Sequence, residues 1–185
     1  DIAIFTDGAI RHTAVIPIAG DHVTNDVAVA LRTPMQHAEQ IKIQHGSTIA
    51  SRVDASQPIE VPSVANRPAK QIQKRALAQV VQARYEELFE LVRAELRRSG
   101  FEHLIASGMV ITGGASKVDG AVELAESIFD MPVRMGMPVG VAGLRDVRDN
   151  PCYSTGIGLL IHGLKQQGDD SITFDVKNSN NLWQR

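Results

Sequence analysis

The chain has 185 residues, of which 43% are hydrophobic, enough for one sizeable core or two small cores that share a seam. Its 19 Lys and Arg against 21 Asp and Glu give a formal charge of -2, which argues against a sequence-wide attraction to nucleic acid or anionic lipid. One cysteine, Cys152, excludes an internal disulfide and a multi-cysteine zinc site, and we interpret it as structural rather than reactive.

The first residues predict a β-hairpin followed by a helix. Residues 1–10 have strand character from the start, so the chain is expected to begin inside a strand, and Asp7-Gly8 is a pair suited to a hairpin turn. A second strand is predicted over 12–18, with Asp21 placed to cap the next helix. That helix carries apolar residues at four-residue spacing: Val23, Val27 and Leu31.

A second helix is predicted over 35–44, with Thr33 as its N-cap and Pro34 at its first position. Glu39 and Lys42 are three residues apart on it and therefore lie on one face. The stretch 47–68 is rich in Ser and Pro and predicts loops around an edge strand. The apolar residues of that strand alternate: Ile59, Val61 and Val64.

The strongest helical signal runs from about 69 to 98, where apolar residues recur every three or four positions and Ser99-Gly100 ends the pattern. The outer side of this helix is charged, which is typical of a solvated face and also compatible with a docking surface. Its charged residues are Arg84, Glu86, Glu87, Glu90, Arg93 and Arg97.

The second half of the chain continues the alternation, which predicts an α/β fold. The predicted elements are a buried strand at 108–112, a helix at 118–129, a strand at 133–135 and a buried, nearly uncharged helix at 153–164. The longest apolar stretch, 156–164, is too short to cross a bilayer, and no secretory leader is evident. We therefore expect a chain that is neither secreted nor membrane-spanning.

Small residues between the strand at 108–112 and the next helix suggest a ligand site. Gly113, Gly114, Ala115 and Ser116 would let a flat ligand approach the backbone, although the same residues could form only a tight turn. The glycine spacing matches neither G-x-G-x-x-G nor a P-loop. A dinucleotide fold or a P-loop enzyme is thus poorly supported.

Glu39 and Lys42 could hold a ribose, because a carboxylate accepts hydrogen bonds from two vicinal hydroxyls and a lysine stem can cover a purine. The alternative is a solvated ion pair. The six histidines form no HxxxH pair, so metal binding by them is not expected, and no Ser-His-Asp set can be chosen.

In order and content, these segments resemble the FtsA family of actin-like bacterial cell-division proteins. The resemblance covers about residues 1–167, and two of the segments are particular to that family. The matching segments are DIAI (1–4), IAGDHVTND (18–26), AEQIK (38–42), IEVPSV (59–64), ARYEEL (83–88) and ITGGASKVDG (111–120).

The resemblance implies an actin-like, ribonuclease H-like α/β fold. Residues 1–44 and 105–167 would build subdomain IIA, the adenosine side of a nucleotide cleft. Residues 45–104 would form an inserted α/β subdomain IIB, and 168–185 a flexible tail. The first phosphate loop, subdomains IA and IC and a C-terminal membrane helix would be missing.

The resemblance also implies the ligands. Gly113, Gly114, Ala115 and Ser116 would frame the adenine, and Glu39 and Lys42 would hold the ribose. Asp1 would lie near the phosphates or the metal. ATP and Mg²⁺ are expected for the intact parent, which would be at most a weak ATPase. The piece alone is expected to bind ATP weakly and hydrolyse nothing, since transition-state stabilisation needs both sides of the cleft.

The implied partners are the C-terminal peptide of the tubulin-like FtsZ, further copies of the parent in actin-like filaments, and other division proteins, with no nucleic acid. Subdomain IIB would receive the peptide, with Arg84, Glu87 and Arg93 as candidate contacts. The parent would tether FtsZ filaments at the septum, in the cytoplasm at the inner membrane. It would reach the membrane only through a C-terminal helix, of which Leu182-Trp183 is a stub or an unrelated remnant.

Two alternatives remain at this point. The chain could be an interaction module that binds no nucleotide, with the glycine turn and the Glu39–Lys42 pair purely structural. It could also come from another actin-like family, of pilus assembly or cell shape.

Overall fold

A computed structural model describes residues 1–63, 68–105, 107–141 and 145–169, and the side chains to 166. Val64 and nearly all of the predicted tail lie outside this part. Its strands are Ile2–Thr6 (β1), Ala9–Ala14 (β2), Pro58–Val61 (β3), Lys70–Gln73 (β4), Met109–Ile111 (β5) and Val133–Met135 (β6). Its α-helices are Gly20–Leu31 (α1), Met35–His45 (α2), Lys74–Ser99 (α3), Ala121–Phe129 (α4), Arg145–Arg148 (α5) and Ser154–Asp169 (α6). The α/β class is confirmed.

The N-terminal hairpin turns at Asp7-Gly8 as predicted, but its second strand covers Ala9–Ala14 rather than 12–18, and the helix after it is capped differently. β1 and β2 pair antiparallel around Asp7 and Gly8, which both have positive φ (53° and 75°). α1 begins at Gly20, and the N–H of Ala19 donates to Nδ1 of His22 at 3.2 Å. Asp21 therefore lies in the first turn and is not the N-cap. Its negative charge there still interacts favourably with the positive end of the helix dipole.

The start of α2 is also tied down differently from the prediction. Thr33 does not cap the helix, because its hydroxyl donates to the carbonyl oxygen of Pro62 at 2.6 Å. Pro34 occupies the N-cap position instead. The bond joins the start of α2 to the segment just after β3.

α3 is shorter at its N-terminus than predicted because residues 70–73 are extended. They form β4, which pairs antiparallel with β3 and sets Ile72 opposite Ile59. The pairing gives these residues hydrogen-bond partners that a helix would otherwise supply. The N–H of Lys74 continues the connection by donating to the carbonyl oxygen of Gln57 at 2.9 Å.

α3 runs through the centre of the core and packs against α1 and α4. The predicted spacing does face inward, with Leu88 and Val92 only partly buried. The fully buried residues on this face are Leu77, Ala78, Val81, Tyr85, Phe89 and Leu96. Arg84 joins α3 to α1 through two hydrogen bonds to the Asp26 carboxylate, at 2.6 and 2.9 Å.

β5 and β6 pair in parallel and are connected through α4, as predicted for an α/β unit. The helix begins at Ala121 rather than at Val118, because Gly114–Lys117 coil into a 3₁₀ turn. β5 also lines an apolar cavity of about 720 Å³ together with β1 and α3.

The prediction that the last helix is buried is wrong for this structure. α6 packs against the turn Pro151–Tyr153 and buries Ile157. Leu159, Leu160 and Leu164, by contrast, are each 67–69% exposed, because the described residues place nothing over that face. In the part of the chain described, no helix is long and apolar enough to cross a membrane.

An ion-pair cluster joins the hairpin to α3. The Glu95 carboxylate accepts hydrogen bonds from Arg98 at 2.7 Å and from His12 at 2.8 Å. The bonds from Arg98, and then that from His12, lower the pKa of Glu95 from 4.5 to about 2. Because the pKa falls on folding, the stability that Glu95 contributes is present above pH 4.5 and is lost as the pH falls towards about 2.

Replacing Glu95 with Gln should therefore flatten the pH dependence of stability between about pH 4.5 and about pH 2. The urea midpoint of unfolding, measured at several pH values across this window, checks the expectation. An acid limb as steep in Glu95→Gln as in the wild type would contradict it.

Candidate functional site

Gly20 lies where the two predicted halves of the site meet. A Cβ atom on Gly20 would be 3.7 Å from Nζ of Lys42 and 3.9 Å from Cβ of Ala115. Lys42 belongs to α2, and Ala115 belongs to the 3₁₀ turn after β5. The fold therefore brings two segments that are distant in sequence close to one residue without a side chain.

The Lys42 ammonium is buried, and three acceptors surround it. Lys42 is only 8% exposed, and its Nζ lies 2.6 Å from Oε2 of Glu39, 2.8 Å from Oγ1 of Thr24 and 3.1 Å from the carbonyl oxygen of Gly20. An ammonium has three protons. All three therefore have partners within the chain, which compensates for removing the charge from water.

The Glu39 carboxylate is fixed on one side and open on the other. Its Oε2 atom contacts Lys42 and also accepts a hydrogen bond from the Thr24 hydroxyl. Its side chain is nevertheless 42% exposed and lines an open cleft of about 520 Å³. The other residues of the cleft are Asp21, Thr24, Met35, Gln36 and Gln40.

The surroundings of Glu39 keep it ionised. Partial burial acts to raise its pKa, but the hydrogen bonds from Lys42 and Thr24, together with the charge of Lys42, lower the pKa below 4.5. At neutral pH the group is a carboxylate. It can therefore accept hydrogen bonds but cannot donate them.

The glycine turn after β5 has a backbone that requires glycine at its first position. Gly113 has φ 89° and ψ 175°, a region open essentially to glycine alone. The N–H and hydroxyl of Ser116 both donate to its carbonyl oxygen, at 3.2 and 2.8 Å. The Tyr85 hydroxyl of α3 supports the turn by donating to the carbonyl oxygen of Ala115 at 2.7 Å.

The two halves adjoin but line different cavities. Ala115, Ser116 and Asp1 line the larger apolar cavity with Gly20, whereas Glu39 lines the open cleft. Burial, and then the negative charge of Glu39, raises the pKa of Tyr85.

The predicted partner contacts lie on α3 and are engaged within the chain. Arg84 binds Asp26 as described and also Glu87 at 2.6 Å. Arg93 pairs with Glu90 at 2.6 Å and donates to the carbonyl oxygen of Ile128 at 3.1 Å. Among the residues that the structure describes, no group of three His, Cys, Asp or Glu could hold a metal ion.

The comparisons with known proteins give the family. The model of the family "Cell division protein FtsA" matches residues 1–158. The chain belongs to the FtsA family. FtsA of Pseudomonas aeruginosa is 63% identical over 169 residues, and FtsA of Escherichia coli K12 is 45% identical over 170 residues. The alternative of a different actin-like family is thereby displaced.

The chain spans about 40% of the length of these FtsA proteins, while the matches cover 91% and 88% of the chain. Among solved structures, it is similar to MreB5 of Spiroplasma citri bound to ADP (TM-score 0.66) and to AMPPNP (TM-score 0.65). Both are 18% identical and cover 90% and 92% of this chain, which itself covers 50% and 51% of theirs. The predicted actin-like fold is confirmed; the division into IIA and IIB remains a prediction.

Sequence patterns do not single out three residues of this candidate site. Gly20 and Thr24 carry no signal because a glycine and a threonine near a helix start usually serve only the local backbone. The spacing along α3 predicts no more than a core position for Tyr85. Its hydroxyl was the available signal, since a buried tyrosine normally needs a hydrogen-bond partner.

Replacing Gly113 with Ala should destabilise the protein by about 1–3 kcal/mol through backbone strain alone, because no atom lies within 4 Å of the new Cβ. Gly158→Ala is the matched control, since that Cβ also meets nothing within 4 Å. It lies in α6, where alanine is favoured over glycine by up to about 1 kcal/mol. Urea denaturation measures both, and equal stabilities of Gly113→Ala and the wild type would exclude the strain.

Proposed function

We propose that the FtsA-family protein containing this segment binds ATP, and that the described residues supply the nucleoside side of the site. The observation that carries the proposal is the Glu39 carboxylate, which Lys42 and Thr24 hold on one oxygen and which is open to the cleft. Gly20 lies close to both Lys42 and Ala115, so the small-residue turn at Gly113–Ser116 would take the adenine side of the ligand.

The chemistry suits a ribose and a purine. An ionised carboxylate accepts hydrogen bonds from the two vicinal hydroxyls of a ribose, and such bonds are stronger than neutral ones. The backbone of the glycine turn would frame the adenine, with Gly114, Ala115 and Ser116 presenting little side-chain bulk. Lys42 would act mainly by holding Glu39, since its three protons already have acceptors.

The structural neighbours support a nucleotide, because the MreB5 structures are described as bound to ADP and AMPPNP. The described residues contain no cluster that could hold a metal ion. Mg²⁺ would therefore be held mainly by the phosphates and by groups of the longer protein. Asp1 is exposed and lines the larger cavity, so it is the candidate to approach the phosphates. Any hydrolysis would need groups from the remainder of a longer protein.

We also propose the cellular role that the family name suggests. The longer protein would assemble into actin-like filaments and tether FtsZ at the cytoplasmic face of the inner membrane at the septum, with other division proteins. Residues 45–104 would receive the FtsZ C-terminal peptide, with Arg84, Glu87 and Arg93 as contacts. The exposed leucines of α6 support a chain that buries further surface in its assembled state.

Replacing Glu39 with Gln in the full-length protein should weaken ATP binding about 10- to 100-fold, the usual cost of losing hydrogen bonds to a charged group. Isothermal titration calorimetry with ATP measures the change. Glu60→Gln is the control, because Glu60 is exposed on β3 and is not among the residues that line the cleft. Equal affinity in the Glu39 variant and the wild type would favour the interaction module that binds no nucleotide.

Replacing Arg84 with Ala should weaken binding of an FtsZ C-terminal peptide several-fold if Arg84 contacts it, as a lost charge-assisted bond predicts. The same change also breaks the clamp to Asp26. Asp26→Ala is the matched control, since it breaks the clamp and leaves the arginine in place. Fluorescence anisotropy with a labelled peptide compares them, and an equal loss in both variants would refute a direct contact.

A further inference from the structure

We infer that Thr24 is a positioning residue for the sugar of the nucleotide, because its hydroxyl and the Lys42 ammonium together fix the Glu39 carboxylate. The inference rests on the proposed function of this site. Thr24 itself is only 3% exposed, so its hydroxyl acts through Glu39 rather than on the ligand.

The Thr24 hydroxyl contacts three polar groups of the site, from Lys42, Glu39 and Gly20. Its Oγ1 atom accepts from Nζ of Lys42 at 2.8 Å and lies within donating distance of Glu39 and of the carbonyl oxygen of Gly20, at 3.1 Å from the latter. A hydroxyl has one proton. The ionised Glu39 carboxylate is a stronger acceptor than the neutral Gly20 carbonyl, so the Thr24 proton is assigned to Glu39.

Both contacts fall on one atom of the carboxylate. Lys42 and Thr24 each meet Oε2 of Glu39, so the hydrogen bonds of the described residues leave Oε1 for a ligand. Fixing one oxygen sets the direction of the other. The lone pairs that a ribose would use are thereby held in place before binding, which lowers the entropy lost on association.

Thr24 differs from its two partners in its helix. Glu39 and Lys42 are neighbours on α2, where a fully exposed pair three residues apart would contribute little. Thr24 belongs to α1 and, together with the Gly20 carbonyl that also accepts from Lys42, attaches this pair to a second, packed helix. The position of the Glu39 carboxylate is therefore fixed by contacts to two packed helices rather than to one helix surface.

The experiment replaces Thr24 with Val, which preserves the shape and removes the hydroxyl, and with Ser, which retains it. In the full-length protein, calorimetry with ATP and 2′-deoxy-ATP gives the ratio of their affinities. In Thr24→Val, ATP should bind about 3- to 10-fold more weakly, the effect of one lost hydrogen bond, and the ratio should fall towards one. Thr24→Ser should keep a ratio close to that of the wild type.

Thr33→Val separates positioning from stability. Thr33 is also a buried threonine, and its hydroxyl donates to Pro62. Its loss should lower the melting temperature without changing the ratio of ATP to 2′-deoxy-ATP affinity. If Thr24→Val does not fold, Thr24→Ala takes its place. The ratio of ATP to 2′-deoxy-ATP affinity should again fall towards one.

The outcomes distinguish the two claims. If Glu39→Gln abolishes the preference for ATP and Thr24→Val retains it, Thr24 is not a positioning residue and the proposed function stands. If Thr24→Val changes only the melting temperature, as Thr33→Val does, the positioning role is likewise overturned. If the wild type shows no preference, or Glu39→Gln changes neither affinity nor preference, the ribose assignment fails and the role of Thr24 fails with it.

Discussion

The site depends on one buried cation. Removing the Lys42 ammonium from water costs several kcal/mol unless acceptors replace the solvent. The chain supplies those acceptors from two helices, the Gly20 carbonyl and Thr24 hydroxyl of α1 and the Glu39 carboxylate of α2. The acceptors that Lys42 needs join α1 to α2, and one of them is the Glu39 carboxylate, which is thereby held at the surface. Stability of the fold and orientation of the candidate ligand group have one physical cause.

α3 carries this constraint to the other half of the site. Its buried face packs against α1 and α4, and Arg84 joins it to α1 through Asp26. Tyr85, the next residue, turns inward and supports the glycine turn through the Ala115 carbonyl. Two consecutive residues of α3 thus connect α1, which supplies acceptors to Lys42, with the turn that would face a purine.

Away from the site, the described residues leave apolar surface open in two places. β1 and β5 belong to separate two-stranded sheets and line the same apolar cavity, and α6 exposes its leucines. Two-stranded sheets are only marginally stable by themselves. Here α3 packs against β4 and α4 packs against β6, which adds helix contacts to the strand ladders.

The sequence by itself determined the α/β class, the family resemblance, the Asp7-Gly8 hairpin and the inward face of α3, because these follow from local periodicity and turn chemistry. It placed Glu39 and Lys42 on one helix face but could not show that Lys42 is buried against Thr24. It also misassigned Asp21 and Thr33 as caps, since only the fold reveals that Thr33 bonds to Pro62. Tertiary structure decided which polar groups meet, because hydrogen-bond partners distant in the chain leave no periodic trace in it.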